Sequence, residues 1–542
     1  NTIFLRKELM NMKKMKRLVA LALSVVMVLA MSVVAFADEQ PTPTTYSITI
    51  NNAASGHTYE AYQIFAGDLS EDSNGKTLSN ITWGAGVTTA GTGELGDAKT
   101  KAESLTTEEN ARNFAKEVAS YLQNPTSSAT SVSGVYTISG LEAGYYLVKD
   151  RDNTLTNEDD FYTAYIMEVV GNVTAAPKGN KPSVEKKVQE NVKVENTTSV
   201  YGDKYNDTAD YSIGDAVPFK LIGTVPDMSK YTKYKYTFHD TLAKSFDAVN
   251  ISSIKVYVAD DKAGTDKSDI TNSFNTITSV KDSKTGISEI TVSTDDLKTI
   301  TGVAEGKYII VEYSAVLNSD ACIGQATPGN TNKVYLTYSN NPNQSGEGTP
   351  EEGKTPEDKV IVFTYKLNTN KIDGDTQKKL EGVTFKVDKK DANDTKKWAK
   401  VENGKLKEWV AEEQATTLTS DSNGLFSVAG LDDGTYYIHE IATLSGYNKL
   451  EKDVAVVITA DTSNGQNGAG AVTELTALNV TADGTRGEGT AATGTAAISI
   501  ANNKGSNLPS TGGIGTTIFY VVGGILMAGA AVLLITKRRA EN

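Results

Sequence analysis

The chain has 542 residues, a formal net charge of −14 and a pI of about 5.0. This acidic balance offers no basic face that could displace phosphate counterions, so nucleic acid is excluded as a partner. Hydrophobic residues make up 39% and charged residues 22% of the chain, which is ordinary for folded protein and argues against general disorder. Because the length exceeds one compact core, roughly three or four domains are expected.

The first 37 residues have the pattern of an export signal. A basic segment at residues 13–17 precedes an apolar run from Leu18 to Val34, and Ala35-Phe36-Ala37 follows. The small residues on either side of Phe36 match a secretory cleavage site, so we expect cutting after Ala37. The single cysteine, Cys322, leaves an exported chain without internal disulfides, and its neighbours supply no base or cation to activate it. Any covalent bracing must therefore use other side chains.

Short alternating segments separated by Gly, Asn, Asp and Ser run through most of the remaining chain. They predict an all-β architecture of tandem sandwiches or barrels. One helix-like stretch is predicted at about residues 108–122. We expect domains and connections at residues 38–177, 178–182 (a hinge), 183–341, 342–357 (a linker) and 358–504, with a C-terminal segment at 505–542.

Two of these regions share a local pattern. Residues 140–150 and 430–440 place glycine, an aromatic residue and an acid at the same offsets, with Asp150 and Glu440 as the acids. The match predicts that the first and third regions have one fold, each with an acid at the end of an equivalent strand.

In the second region, alternation places a lysine on a face that otherwise carries apolar side chains. Lys186 shares its face with Val184 and Val188, so Lys187 is expected to point to water. Near the end of the region Asn332 falls on the same face as its apolar neighbours, and Asn330 is the competing amide. A buried lysine and a buried asparagine are therefore predicted on the first and last strands.

The third region repeats this arrangement. Lys371 shares a face with Tyr365 and Leu367, and Asn502 alternates with the apolar residues before it, with Asn503 as its competitor. A lysine inside a strand core is costly unless it is neutralised, paired or chemically consumed. The alternative for either lysine is an ordinary surface position with the amine in water.

These side chains suggest a specific reaction. Burial lowers the pKa of a lysine and leaves a neutral amine that can attack the amide carbon of asparagine. A buried carboxylic acid can hydrogen-bond the amide carbonyl and relay the proton while ammonia leaves. Asp240 is the candidate acid in the second region and Glu440 in the third, so each region is predicted to form a Lys–Asn isopeptide bond. The first region has no lysine in residues 46–50, and no bond is predicted there.

The C-terminal segment joins a pentapeptide to an apolar run at residues 514–535 and a basic tail. The pentapeptide is Leu508-Pro509-Ser510-Thr511-Gly512, and the tail is Lys537-Arg538-Arg539. About 20 uncharged residues can cross a bilayer as a helix, and the basic tail holds that end on the cytoplasmic side. The order of these parts resembles the cell-wall sorting signal of Gram-positive surface proteins. The resemblance implies that a sortase cuts between Thr511 and Gly512 and passes the Thr511 carboxyl to an amine.

Almost the whole mature chain resembles the backbone pilins that sortases assemble. The matching positions are Lys186, Asp240 and Asn332 in the second region, and Lys371, Glu440, Gly446-Tyr447 and Asn502 in the third. Glu440 with Gly446-Tyr447 matches the family's E-box, with Ser445 where the family has proline. The resemblance implies tandem immunoglobulin-like β-sandwiches, of collagen-adhesin B type in the third region, cross-linked at those positions.

The same resemblance implies how subunits are joined. In that family a lysine after a proline, between the first and second domains, is the nucleophile that receives the sorted carboxyl. Pro177-Lys178 occupies this place, and Lys181 is the competitor. Joining Thr511 of one subunit to Lys178 of the next would give an open, head-to-tail fibre.

Other chemistry is sparse. His57, His239 and His439 lack metal-ligand spacing, and Asp260-Asp261 and Asp432-Asp433 fit solvated turns rather than a calcium loop. No metal site and no cofactor are predicted.

The sequence therefore predicts a non-enzymatic backbone subunit of a cell-surface pilus, exported, anchored to the cell wall and made as a membrane-spanning precursor. Its expected partners are pilin-type and housekeeping sortases, identical subunits and peptidoglycan, with minor pilins and host ligands as further candidates. The alternatives are an adhesin or accessory pilin that binds a host ligand without polymerising, and a surface enzyme.

Overall fold

The computed structural model describes residues 44–540 except 52–53, 73–74, 132, 156, 164, 170, 177–180, 192–199, 327–328, 344–351, 463–473 and 506–513. The predicted export signal, Lys178 and the pentapeptide Leu508–Gly512 lie outside these described residues. Within the described part, strands dominate, which confirms the predicted all-β class.

The first unit, residues 44–175, combines two sheets with three helices. Its strands are β1 (Tyr46–Ile50), β2 (Thr58–Asp72), β3 (Gly75–Trp83), β4 (Ser127–Thr130), β5 (Tyr136–Leu141), β6 (Gly144–Asp150), β7 (Ile166–Val169) and β8 (Val173–Ala175). Its helices are α1 (Thr89–Leu95), α2 (Ala98–Ser104) and α3 (Glu108–Ala119). One sheet has the order β5-β1-β8, and the other has the order β3-β2-β6-β7 with β4 against β2.

Helix α3 confirms the helix predicted near residues 108–122. Thr107 caps its N-terminus, and Phe114 and Val118 pack into the same core cluster as Phe65. The sequence pattern gives no sign of α1 and α2, because each spans only seven residues and α1 contains two glycines.

The second unit, residues 181–363, is a sandwich of two sheets. Its strands are β9 (Val184–Gln189), β10 (Tyr205–Asn206), β11 (Thr208–Asp210), β12 (Ala216–Thr224), β13 (Tyr236–Leu242), β14 (Lys255–Ala259), β15 (Ser268–Asp269), β16 (Thr276–Lys281), β17 (Ser288–Thr294), β18 (Tyr308–Val316), β19 (Asn330–Ser339), β20 (Glu352–Lys354) and β21 (Asp358–Phe363). One sheet has the order β10-β9-β12-β18-β14-β15. The other has the order β11-β21-β19-β13-β17-β16, with β20 against β19.

The border between the second and third domains differs from the prediction. β20 lies inside the predicted linker at residues 342–357, and β21 pairs with both β19 and β11 of the second unit. The predicted third-domain start at residue 358 is therefore wrong. The last strand of the second unit is β21, not β19, which carries Asn332. The reason is that Val360 and Val362 are buried in the core of the second unit. The Pro, Gly and Glu residues before them have the composition of a linker, so the sequence gives no sign of this packing.

In the third unit, residues 365–505, the strands form one continuous hydrogen-bonded sheet. Its strands are β22 (Tyr365–Asp373), β23 (Thr384–Lys390), β24 (Lys396–Glu402), β25 (Lys405–Val410), β26 (Leu418–Thr419), β27 (Leu425–Leu431), β28 (Gly434–Ala442), β29 (Val454–Thr462), β30 (Leu475–Ala482), β31 (Thr485–Arg486), β32 (Glu488–Thr490) and β33 (Thr495–Asn502). The order is β31-β30-β29-β28-β23-β24-β25-β27-β22-β33-β32, with β26 against β23. Short 3-10 turns in the second and third units lie at Ile251–Ser253, Thr271–Ser273, Leu297–Thr299, Glu412–Gln414 and Ala491–Thr493.

A separate helix, α4 (Ile514–Ala540), follows the sheets. Its span Ile518–Ala540 has a mean hydropathy of 2.5 and no part buried against the rest of the molecule. This length and composition suit a bilayer crossing. Because the span buries nothing, the three β units keep their described packing without it.

Candidate functional sites

Lys371, Glu440 and Asn502 meet in the core of the third unit. β22 and β33 are parallel neighbours, which brings Lys371 and Asn502 to the same buried face. Lys371 Nζ donates a hydrogen bond to Asn502 Oδ1 and lies 3.0 Å from Glu440 Oε1. Asn502 Nδ2 donates to Glu440 Oε2 at 3.1 Å. An amine, an amide and a carboxyl are thus in mutual contact.

The surroundings of this cluster favour a neutral amine. Burial lowers the pKa of Lys371, and the hydrogen bond and charge of Glu440 offset only part of that effect. The amine also lies 5.5 Å from the centre of the Phe385 ring. The Glu440 carboxylate is held in place because its Oε2 accepts a hydrogen bond from the Leu450 backbone N–H at 2.8 Å.

The segment around Tyr447, which was compared with the E-box, holds the ends of β22 and β33 in place. Tyr447 donates its hydroxyl to Asp373 Oδ2 at 2.6 Å, and this hydrogen bond is the main reason that the pKa of Asp373 is lowered. The Asn448 carbonyl accepts from Asn502 Nδ2 at 2.9 Å, while the Asn448 N–H donates to the Asn503 carbonyl at 3.0 Å. Asn503 is exposed, so of the two competing amides Asn502 is the one that reaches the amine.

In the second unit the corresponding side chains come from facing sheets. Lys186 lies on β9, whereas Asp240 on β13 and Asn332 on β19 belong to the opposite sheet. All three are buried, and Lys186 Nζ lies 2.5 Å from Asp240 Oδ2. Burial lowers the pKa of Lys186 and raises that of Asp240, with the opposite charge of each partner offsetting part of the shift.

A tyrosine that the sequence did not single out completes this cluster. Tyr313 Oη accepts hydrogen bonds from Lys186 Nζ at 3.3 Å and from Asn332 Nδ2 at 2.7 Å, and it donates to Asp240 Oδ2 at 2.8 Å. Its hydroxyl therefore stands between the acid, the amine and the amide. Tyr313 alternates with Ile309 and Val311 along β18, so its sequence pattern is that of an ordinary core residue.

The competing amide in the second unit has other partners. The Asn330 side chain exchanges hydrogen bonds with the Cys322 backbone N–H and carbonyl and also donates to the Val362 carbonyl. By contrast, Asn332 Oδ1 is buried and has no hydrogen-bond partner among the described residues. Asn332 is thus the amide that faces the amine cluster.

The expectation that Lys187 points to water is wrong. Lys187 is fully buried, donates a hydrogen bond to Asp207 Oδ1, and has its amine 4.5 Å from the centre of the Tyr201 ring. The cause is the segment around residues 201–207, which covers the outer face of β9 and pairs with its end. Alternation along β9 cannot reveal that a later segment covers its second face.

In the first unit Asp150 faces a histidine. His57 Nδ1 lies 2.7 Å from Asp150 Oδ1, and His57 Nε2 lies 3.2 Å from Asp160 Oδ2. Burial lowers the pKa of His57, but the hydrogen bonds and charges of the two aspartates outweigh it and raise the pKa to about 9. This acid–imidazole–acid triad offers no amine for an isopeptide bond.

Two parts of the chain match known family models. Residues 365–469 match the SpaA model, described as a prealbumin-like fold domain, and residues 500–542 match the LPXTG cell wall anchor motif. This chain is a wall-anchored surface protein. The anchor match includes the pentapeptide and α4, so the precursor spans the membrane before it is attached to the wall.

The chain is similar to a streptococcal surface protein. It is 26% identical over 394 residues to the trypsin-resistant surface T6 protein of Streptococcus pyogenes serotype M6, and the match covers 59% of this chain and 68% of that protein. The solved T6 backbone pilin, described as a modular three-domain structure, superposes with a TM-score of 0.52 at 18% identity over 86% of this chain and all of that one. The major pilin SpaD of Corynebacterium diphtheriae gives a TM-score of 0.46 at 17% identity over 85% and 98% of the two chains. The T6 comparison supports a shared fold.

The predicted hinge has one described lysine. Lys181 Nζ lies 2.5 Å from Asp159 Oδ2, and its side chain is 43% exposed. Asp159 belongs to the loop after β6 that contacts the second unit, where its carbonyl accepts from the Tyr338 hydroxyl at 2.7 Å. The amine of Lys181 is therefore engaged in an ion pair at the junction of the first two units.

The predicted solvated turn at Asp432-Asp433 is wrong for Asp432. Asp432 is buried against the second unit. Its backbone N–H donates to Ser212 Oγ at 3.2 Å, and its carboxylate accepts from Asn191 Nδ2 at 2.7 Å. Both partners belong to the second unit. The turn between β27 and β28 is thus part of an inter-unit junction rather than a free surface.

Proposed function

We propose that this chain is the structural backbone subunit of a sortase-polymerised pilus, and that its second and third units cross-link themselves through Lys–Asn isopeptide bonds. The observation that supports this most strongly is the buried cluster of Lys371, Glu440 and Asn502. The second unit contains another cluster of the same three chemical groups, an amine, an amide and a carboxyl. Two such clusters in one chain argue against a chance arrangement.

The third-unit cluster suits a reaction in which Glu440 relays a proton. The neutral Nζ of Lys371 attacks Cγ of Asn502, so the Nζ–Cγ bond forms and the Cγ–Nδ2 bond breaks. Glu440 Oε1 lies by the attacking amine and Oε2 by the leaving nitrogen, so the carboxyl takes a proton from Nζ and returns one to Nδ2. Ammonia leaves and Glu440 is unchanged. The reaction consumes the protein's own side chains, so it has a single turnover.

In the second unit the same roles fall to Lys186, Asp240 and Asn332, with Tyr313 between the acid and the leaving nitrogen. Asp240 contacts the amine directly and contacts Asn332 through the Tyr313 hydroxyl. A hydroxyl that accepts from Nδ2 and donates to the carboxylate can pass the proton between them. Tyr313 would thereby supply the link that Glu440 makes directly in the third unit.

Such bonds fit a load-bearing subunit. A bond from Lys186 to Asn332 would join the two sheets of the second unit, and a bond from Lys371 to Asn502 would join neighbouring parallel strands of the third. A force applied to the two ends of the chain would then be resisted by one covalent bond in the second unit and one in the third. The ties would also restrict the unfolded chain as disulfides do, in a protein whose single cysteine cannot form an internal one.

Polymerisation is proposed to join Thr511 of one subunit to Lys178 of the next. Lys181 is the weaker candidate, because its amine is held in an ion pair with Asp159. The test is a blot of wall extracts from cells that express the chain with its sortases. We expect a ladder of high-mass forms that is lost in Lys178→Ala, retained in Lys181→Ala, and lost together with wall attachment in Thr511→Ala.

Two results would count against the proposal. A wall-attached monomer without a ladder in the unmodified chain would favour the non-polymerising adhesin. A ladder that survives Lys178→Ala but not Lys181→Ala would keep the backbone function and move the nucleophile.

A further inference from the structure

The junction between the second and third units gathers carboxylates from distant parts of the chain. Asp210 ends β11 of the second unit, and Asp432 and Asp433 form the turn between β27 and β28 of the third. One carboxylate oxygen from each of the three lies within 4.8 Å of the others. Glu190, just after β9, adds a fourth carboxylate, whose Oε2 accepts a hydrogen bond from the Asp210 backbone N–H at 3.0 Å.

This cluster is buried rather than solvated. Asp210 is 6% exposed and Asp432 is 4% exposed. The two units touch directly here, since the Ile213 N–H donates to the Gly430 carbonyl at 2.9 Å. A side chain at Gly430 would collide with Ile213, so the close approach depends on glycine.

Unpartnered polar atoms point into the cluster. Asp210 Oδ2 and Asp433 Oδ1 are buried without a hydrogen-bond partner among the described residues, and so is the hydroxyl of the fully buried Tyr365. Burial raises the pKa of Tyr365, and Asp210 is the largest of the nearby charges that raise it further, which places the hydroxyl beside that carboxylate. A ligand in the cluster would satisfy these atoms.

The charge of the cluster is also unbalanced. Among the described residues, no lysine or arginine nitrogen lies within 4.0 Å of the carboxylates of Asp210, Asp432 or Asp433. Lys389 lies nearby but pairs with Asp215 at 3.8 Å. Buried carboxylates must either take up protons or hold a cation. Asp432 accepts hydrogen bonds on both oxygens, from Asn191 and from the Asp433 N–H. Burial and the neighbouring carboxylates nevertheless raise the pKa of Asp432 well above its usual range, and a bound cation would oppose that shift.

We propose that this junction is a binding site for a divalent cation of the calcium type. Asp210, Asp432 and Asp433 would be its carboxylate ligands, with Glu190 adjacent. Several carboxylate oxygens at one point are the donor set that Ca²⁺ prefers. Since the ligands come from both units, the bound cation would clamp the second unit to the third and stiffen the chain between its two proposed cross-links.

The test uses the secreted chain, residues 38–507, whose β units do not pack on α4. The protein is stripped with EDTA and titrated with CaCl2 and, separately, MgCl2, by calorimetry and by thermal unfolding. We expect saturable binding and an upward shift of the unfolding temperature. The Asp433→Asn variant, at a half-buried position, should lose both, and Asp260→Asn, at an exposed aspartate of the second unit, should retain both.

The opposite result has a distinct signature. If the carboxylates share protons instead, neither cation will bind or shift the unfolding temperature, and the unmodified chain will become more stable relative to Asp433→Asn as the pH falls. That outcome would overturn the cation site. A cation effect that is equal in both variants would place the ion elsewhere and would overturn it as well.

Discussion

At the scale of single residues, each proposed cross-link depends on one carboxyl. Glu440 contacts both the amine of Lys371 and the leaving nitrogen of Asn502, so replacing it removes the proton relay while leaving both reacting groups in place. We expect Glu440→Gln to retain one ammonia mass that the unmodified chain loses, as read by intact mass spectrometry. Glu451→Gln, at an exposed acid of the same unit, should show the same ammonia deficit as the unmodified chain, each measured against its own calculated mass.

The same variant should unfold more easily. A bond between Lys371 and Asn502 closes a loop across 131 positions of the chain. By the loop-closure argument used for disulfides, losing a tie of that size costs about 5 kcal/mol of unfolding free energy. An ammonia deficit in Glu440→Gln equal to that of the unmodified chain would contradict the assigned role of Glu440.

Tyr313 offers a second residue-scale prediction. Tyr313→Phe keeps the ring but removes the hydroxyl that joins Asp240 to Asn332. If that hydroxyl relays the proton, the variant should fold normally by circular dichroism but release ammonia from the second unit more slowly, giving a mixture of masses soon after synthesis. Tyr308→Phe on the same strand is the control. Identical rates in the two variants would reduce Tyr313 to a packing residue.

Sequence pattern predicts some of these residues and not others. Lys371 and Asn502 stand out because a lysine and an asparagine occupy inward positions of otherwise apolar alternations. Tyr313 does not, since a tyrosine in such a pattern is typical of any core. The prediction for Lys187 is wrong for another reason. Alternation describes one strand alone, whereas the burial of Lys187 depends on residues 201–207, which fold over that strand.

At the scale of elements, the first unit has an ionic tie where the other two have candidate covalent ones. His57 precedes β2, Asp150 ends β6, and Asp160 lies in the loop that contacts the second unit through Tyr162 and Asn340. The triad therefore couples the first sandwich to the loop at its junction.

This tie should depend on pH. The pKa of His57 is about 9 in the folded protein against 6.5 for the free side chain, so its stabilisation is complete below about pH 6.5 and is lost as the pH rises through 9. The shift corresponds to roughly 3 kcal/mol. Calorimetric scans at pH 6 to 9.5 should show the first-unit transition falling with pH, and His57→Gln should remove that slope. A slope that persists in His57→Gln would assign it to other groups.

Element borders were harder to predict than element types. The strand class is predicted correctly, but the sequence assigns β21 to the third unit, whereas its partners β11 and β19, which lie far away in sequence, belong to the second. Strand pairing between distant segments is set by packing in the folded core, so it cannot be predicted from the local composition around residues 342–357.

At the scale of the whole molecule, the wall anchor was the most predictable part. It is defined by charge and hydropathy along a continuous stretch, and the anchor match at residues 500–542 confirms it, whereas the export signal stays a prediction. The inter-unit junctions were not predictable. Asp432 meets Ser212 across 220 positions, and a turn sequence does not reveal which other unit will cover it.

The proposed subunit is thus a series of β units with candidate covalent ties in the second and third. Its central claim is that those ties form without any other protein. The most direct measurement is the intact mass of residues 38–507, produced in cells that lack sortases. We predict a deficit of two ammonia masses, of which one disappears in Lys186→Ala and one in Lys371→Ala. A mass equal to that of the uncross-linked sequence would contradict the claim and leave a wall anchor on an ordinary β-rich surface protein.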